Sequence, residues 1–163
     1  MALAEFKTFV RSWVHPDYRP APVLPEALDR AEARFETHLP RSYRECMINV
    51  GPASAGLSLL STIADRRLDI PDIHDFLTPE ELIETTADWR EFGLQEDMIA
   101  FATTGEGDLY CFEQVPQNAS VPDDALVWYF DHEERIVESL DLSFSQWITL
   151  YASIPNPPPF TDA

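Results

Sequence analysis

Apolar residues recur at three- and four-residue spacing near both ends of the chain, and in alternating or unbroken runs between them. Leu3, Phe6, Phe9, Val10 and Trp13 form the first stripe, with Lys7 and Arg11 off it, and predict an amphipathic helix. His15-Pro16 ends it, because a residue preceding proline leaves the helical region. Tyr18 to Pro25 carries Pro20, Pro22 and Pro25 and reads as an extended connector. Pro25 then suits a first helical position. Leu28, Ala31, Phe35 and Leu39 make the next stripe, which Leu39-Pro40 breaks. Tyr43, Cys46, Met47 and Val50 face inward from a following helix that stops at Gly51-Pro52.

Gly56-Leu-Ser-Leu-Leu60 predicts a short strand, and Leu68 with Ile70 another inside a polar, turn-rich stretch. Thr78-Pro79-Glu80-Glu81 is a helix start: Thr78 caps, Pro79 fills the first turn and Glu81 closes a capping box. That helix uses Leu82, Ile83, Ala87 and Trp89 and runs toward Gly93, with Glu80, Glu81, Glu84, Asp88 and Glu91 leaving it negative. From Met98 to Glu138, β-branched and aromatic runs alternate with Gly, Pro, Asn and Asp clusters. Ile99–Thr103 and Leu109–Glu113 should pair across Thr104–Asp108, and Leu126–Phe130 and Arg135–Ser139 across Asp131–Glu134. Ser143 starts a last helix, boxed by Gln146, with Phe144, Trp147, Ile148 and Tyr151 on its apolar face. The pattern predicts an α+β fold: a single domain with a central antiparallel sheet flanked by helices. Residues 1–22 form the N-terminal helix and connector, 23–154 the α+β domain, and 155–163 a Pro-rich tail.

Charge changes this picture more than composition does. The net charge is −18, and it is uneven. Residues 1–67 hold 9 Lys and Arg against 8 Asp and Glu; residues 68–163 hold 2 against 21. Phosphate binding needs Lys and Arg to release counterions, so direct nucleic-acid binding by the acidic part is disfavoured. Such a field keeps a protein soluble and also attracts basic partners, and both readings stand. Lys7, Arg11 and Glu5 interrupt the first apolar stripe, so no signal peptide is expected. No apolar run approaches the roughly 20 residues of a membrane span. The expected compartment is the cytoplasm, with Cys46 and Cys111 as buried free thiols.

Candidate chemistry is sparse. Gly105-Glu-Gly-Asp108 superficially matches a phosphate loop, but its flanks are strands and Glu106 and Asp108 would repel phosphate. A hairpin turn with glycines at positive φ fits better. Asp131-His-Glu-Glu134 offers one histidine among carboxylates, without spaced ligands elsewhere, and reads as a solvated turn rather than a metal site. Neither serine nor cysteine sits in a nucleophile setting. No catalytic residue, metal or cofactor is expected. Trp13, Trp128 and Trp147 read as core; Trp89, beside Arg90 at an acidic helix end, suits an interface anchor.

Several of these features, in this order, resemble the SMI1/KNR4 (SUKH) family. Glu32 leads through Phe35 to Leu39-Pro40, then Tyr43, Met47 and Asn49-Val-Gly51; later come Ile99-Ala-Phe-Ala, Gly105-Glu-Gly-Asp-Leu-Tyr-Cys-Phe-Glu113, Val127-Trp-Tyr-Phe-Asp-His-Glu133 and Leu140–Ile148. The family usually has adjacent Asn-Gly where Val50 intervenes here, and Gly56–Leu77 matches weakly. The resemblance implies an α+β fold, no shared catalytic residues, and for many bacterial members an immunity role against a cognate toxin, often a nuclease or deaminase. Eukaryotic members are implied to be regulatory protein-binding modules. The leading expectation is an immunity protein that occludes a basic, nuclease-like toxin non-covalently. The alternatives are a regulatory or scaffold module with an endogenous partner, and an enzyme with an unrecognised carboxylate site. The expected partner contacts are Glu84, Asp88, Trp89 and Glu91 on the acidic helix, Glu106 and Asp108 on one turn, and Asp131, Glu133 and Glu134 on the next. Oligomeric state is left open.

Overall fold

The computed structural model, which describes residues 2–156, begins with the helix that the first stripe predicts. Helix α1 (Ala2–Trp13) buries Phe6, Phe9 and Trp13 completely. Each such side chain contributes roughly 1.5–3 kcal/mol on leaving water, so α1 is part of the core rather than an appendage. The connector includes a short 3-10 turn, Pro16–Tyr18. Helices α2 (Pro25–Phe35) and α3 (Arg41–Asn49) follow, buried through Leu28, Ala31, Phe35, Tyr43, Cys46 and Met47. Glu36 ends α2 in a left-handed conformation, and its amide closes back onto the Ala33 carbonyl.

Two strand expectations fail in the next segment. Gly56–Leu60 is not a strand: helix α4 spans Ser58–Asp65 and buries Leu59, Thr62 and Ile63. Those positions follow a helical period that a five-residue apolar run is too short to reveal. Leu68 and Ile70 form no strand either. The edge strand is β1 (Asp75–Phe76), two residues long, which has no period to read.

Helix α5 (Pro79–Arg90) starts at the Thr78 capping box, with both reciprocal bonds made. The sheet then forms from β2 (Met98–Thr103), β3 (Leu109–Glu113), β4 (Leu126–Asp131) and β5 (Ile136–Ser143). All pairings are antiparallel, in the order β1-β2-β3-β4-β5. Strand β5 runs four residues past its expected end. A register shift opposite Leu126 and Trp128, with Asp141 at φ +56°, interrupts the alternation there. Helix α6 (Phe144–Ala152) starts at the Ser143–Gln146 capping box.

Helices cover both faces of the sheet. Tyr110 of β3 meets Trp147 of α6, while Phe112 packs on Tyr43 and Phe144. Leu109 and Cys111 alternate to the opposite face, where Phe130, in register with Leu109, meets Trp89 of α5. Cys46 and Cys111 are free and buried. From residue 157 the expected Pro-rich tail lies outside the described residues.

Candidate functional site

The β2–β3 turn precedes Leu109 and the β4–β5 turn follows Phe130, and these two residues are paired. Both acidic turns therefore stand at one end of the sheet. The end of α5 joins them through Trp89, whose ring lies 5.8 Å from Phe130 and 6.0 Å from His132. A shallow depression results, lined by Asp88, Trp89, Phe92, His132 and Arg135.

Local backbone chemistry builds each part. In the β4–β5 turn, Asp131 Oδ1 accepts the amides of Glu133 and Glu134 at 2.9 and 3.1 Å, a side-chain mimic of a turn. Arg135 closes the turn in the left-handed region, at φ +58°, with its amide on the Asp131 carbonyl. Its stem lies against Gly93, at φ +111°, where a Cβ would stand 3.1 Å from Arg135 Cδ. The bare glycine lets the chain after α5 dock on the turn.

In the β2–β3 turn, Thr104 Oγ1 accepts the amides of Glu106 and Asp108. Only Gly107 of its two glycines takes a positive φ, +98°. The second acid of this turn differs from expectation. Asp108 is only 8% exposed, because its carboxylate is drawn into the fold. Oδ1 accepts the His132 amide at 3.1 Å and pairs with His132 Nδ1 at 2.5 Å, while Oδ2 accepts the Tyr129 hydroxyl. Burial works against ionising Asp108, but the bonds from Tyr129 and His132 outweigh it and hold the carboxyl below its usual range. The bond to Asp108 in turn raises His132 above the ordinary histidine value, against partial desolvation and with help from Glu133 and Asp131. Burial, then the Asp108 bond, pushes the Tyr129 hydroxyl up.

One oxygen each of Asp108 and Asp131 and one His132 nitrogen come within 4.8 Å of one another. The metal-like grouping that sequence spacing could not assemble is thus present, but internal hydrogen bonds already engage both carboxylates. Neither cysteine suits nucleophilic chemistry: burial pushes the Cys46 thiol up to about 12 and the Cys111 thiol higher still.

Of the expected contacts, Glu84, Asp88 and Glu91 are exposed on α5 or its cap, and Glu106, Glu133 and Glu134 are exposed on the turns. Trp89 and Asp131 are half-buried. The structure brings Asp88 and Trp89 to the β4–β5 turn. Sequence reasoning missed Phe92, 57% exposed beside Trp89, and the roles of His132 and Arg135. An aromatic directly before Gly93, at a helix end, was the available signal for Phe92. No helix among the described residues is long and apolar enough to cross a membrane.

No curated protein matches the chain. The model of the SMI1 / KNR4 family (SUKH-1) does match, over residues 22–150. That span runs from the connector through both acidic turns and into α6, so by sequence and fold together the chain belongs to the SMI1 / KNR4 family (SUKH-1).

Proposed function

We propose that this chain is an immunity protein, which binds a cognate basic toxin non-covalently and covers its active site. The observation that carries the reading is the meeting of Asp88, Trp89 and Phe92 with the β4–β5 turn in one depression. An aromatic anchor rimmed by charge is the composition expected at the energetic centre of a protein interface. Glu84, Asp88 and Glu91 are exposed on α5 and its cap, and Glu106, Glu133 and Glu134 on the two turns, so these acids outnumber the Arg135 that lines the depression. Such a field steers a basic surface toward the anchor and pairs with the Lys and Arg that a nuclease directs at phosphates. Asp108 is not a contact in this scheme; it braces the turn that presents Glu106.

The test is protection. The protein is co-expressed with the product of the gene beside its own, and survival is scored with and without it. Protection by the native protein, lost with Trp89→Ala combined with Phe92→Ala, is the expected result. Cells that die despite native protein at normal abundance would sink the immunity reading.

A further inference from the structure

A second depression lies beside the β2–β3 turn, between α4 and the segment leading to β1. Leu60, Ile63, Leu68 and Ile70 give it an apolar wall, and Asp72 and Glu106 supply its acids. Asp72 is 2% exposed, and its two oxygens differ. Oδ1 accepts the Gly105 amide at 2.9 Å, whereas Oδ2 is buried and has no hydrogen-bond partner among the described residues. The backbone carrying it is fixed from beneath: the Tyr110 hydroxyl donates to the Asp72 carbonyl at 2.9 Å, and the Tyr151 hydroxyl to the Pro71 carbonyl at 2.7 Å. The carboxylate is therefore held in place rather than free to turn toward water.

A buried carboxylate oxygen without a donor is unfavourable, and a cationic donor relieves it most. The turn presents a bare glycine beside it. At Gly105 a Cβ would stand 3.1 Å from Oδ2 and 3.2 Å from Leu60 Cδ2. We propose that this pocket receives a lysine side chain of the protein partner, its stem along the Leu60–Ile70 wall and its ammonium displacing the packing that now seals Asp72 Oδ2, to bond that oxygen. The apolar wall suits an alkyl stem and the acid a charged head. Lysine fits better than arginine because only one oxygen is free; a guanidinium fork needs two, and Gly105 already holds the other. The acidic balance of residues 68–163 favours the same partner chemistry. The proposal rests on the partner-binding reading above and names the residue the partner inserts. Arg67 also lines the pocket and is exposed, so its charge opposes the incoming ammonium.

The test needs no toxin. The full chain is titrated with n-butylammonium while backbone amides are followed by NMR. Saturable shifts at Thr104, Gly105 and Glu106 are expected, with n-butanol and n-butylguanidinium at least several-fold weaker. Asp72→Asn keeps an oxygen for the Gly105 amide and should weaken n-butylammonium at least tenfold; Arg67→Gln should tighten it. Should Asp72→Asn fail to fold, Leu68→Gln, at a position 37% exposed, removes part of the stem wall and should weaken binding several-fold. Equal binding of n-butanol, or no shift at Gly105, overturns the proposal, as does unchanged affinity in whichever of Asp72→Asn and Leu68→Gln folds. Protection in cells without amine binding would remove the pocket and leave the immunity reading; amine binding without protection would do the reverse.

Discussion

The two acidic turns at the end of the sheet are built from similar residues and use them in opposite ways. In the β2–β3 turn the second acid, Asp108, points inward, accepts from Tyr129 and from both the amide and the imidazole of His132, and joins the two hairpins. In the β4–β5 turn Asp131 spends one oxygen on the local backbone, and Glu133 and Glu134 stay exposed. The difference comes from what each carboxylate finds within reach. Backbone and hydroxyl donors from the neighbouring hairpin converge on position 108, while the amides of Glu133 and Glu134 turn back on Asp131 of their own turn. A count of acids therefore overstates the charge offered to a partner, and the outward acids are the ones that can steer.

The sharpest way to break this contrast is Asp108→Ala. It strands the Tyr129 hydroxyl and the His132 amide together, and a loss on the order of 2–4 kcal/mol is expected by urea denaturation. A loss below about 1 kcal/mol would place Asp108 with the ordinary surface acids. Next in size is Gly93→Ala. Its φ of +111° is unfavourable to any Cβ, and the added carbon meets the Arg135 stem. A cost of about 1–3 kcal/mol follows. Because the clash displaces the β4–β5 turn, the amide signals of 131–135 should move more than those of α6. Shifts confined to 91–95 would show that α5 and the turn are not coupled through Gly93.

These contacts also mark what the sequence could and could not say. Thr78 and Ser143 announced their helices because a capping box is local, four residues with a fixed chemistry. The stripes of α1, α2 and α3 were legible for the same reason. Leu57–Leu60 misled because exposed Leu57 completes an apolar run whose burial is helical. Strand β1 and the far half of β5 were hidden, one by its length, the other by the shift opposite Leu126 and Trp128. At the candidate site, the acidic helix and turns were visible as composition. The Asp108–His132 pair was not, since 24 residues separate its members and only the register of Leu109 on Phe130 brings them together. Asp72 lay in a stretch read only as polar and turn-rich.

Titration sharpens the contrast with a smaller effect. Pairing raises His132, so its charge contributes stability in full below the ordinary histidine value of 6.5, and loses it as pH rises through the raised value. Asp108 is lowered, so its contribution is present above 3.8 and is lost as pH falls through the depressed value. Both are complete between 3.8 and 6.5. His132→Phe keeps a ring beside Trp89 and removes the pair. The Tm gap between native and variant should be widest near pH 5 and narrow toward pH 9. A gap independent of pH would mean that the pair carries no charge-linked stability.

The smallest effect falls on the outward acids. Glu133→Gln with Glu134→Gln should leave stability within about 0.5 kcal/mol of native, because exposed charges away from partners contribute little. The local potential should still change, and Trp89 reports it. Trp13 and Trp147 are fully buried, so in a Trp128→Phe background Trp89 is the tryptophan open to quenchers. Near a negative turn, the caesium-to-iodide quenching ratio should exceed that of free N-acetyltryptophanamide at low ionic strength. The preference should fade as salt shortens the screening length to about 10 Å at 0.1 M. Removing the two turn charges should lower the caesium–iodide ratio by less than twofold, since Asp88 still lines the depression and Glu91 stays exposed at the end of α5. A native ratio equal to that of free N-acetyltryptophanamide would mean that the aromatic anchor sits outside the acidic field, and that steering and anchoring belong to different faces.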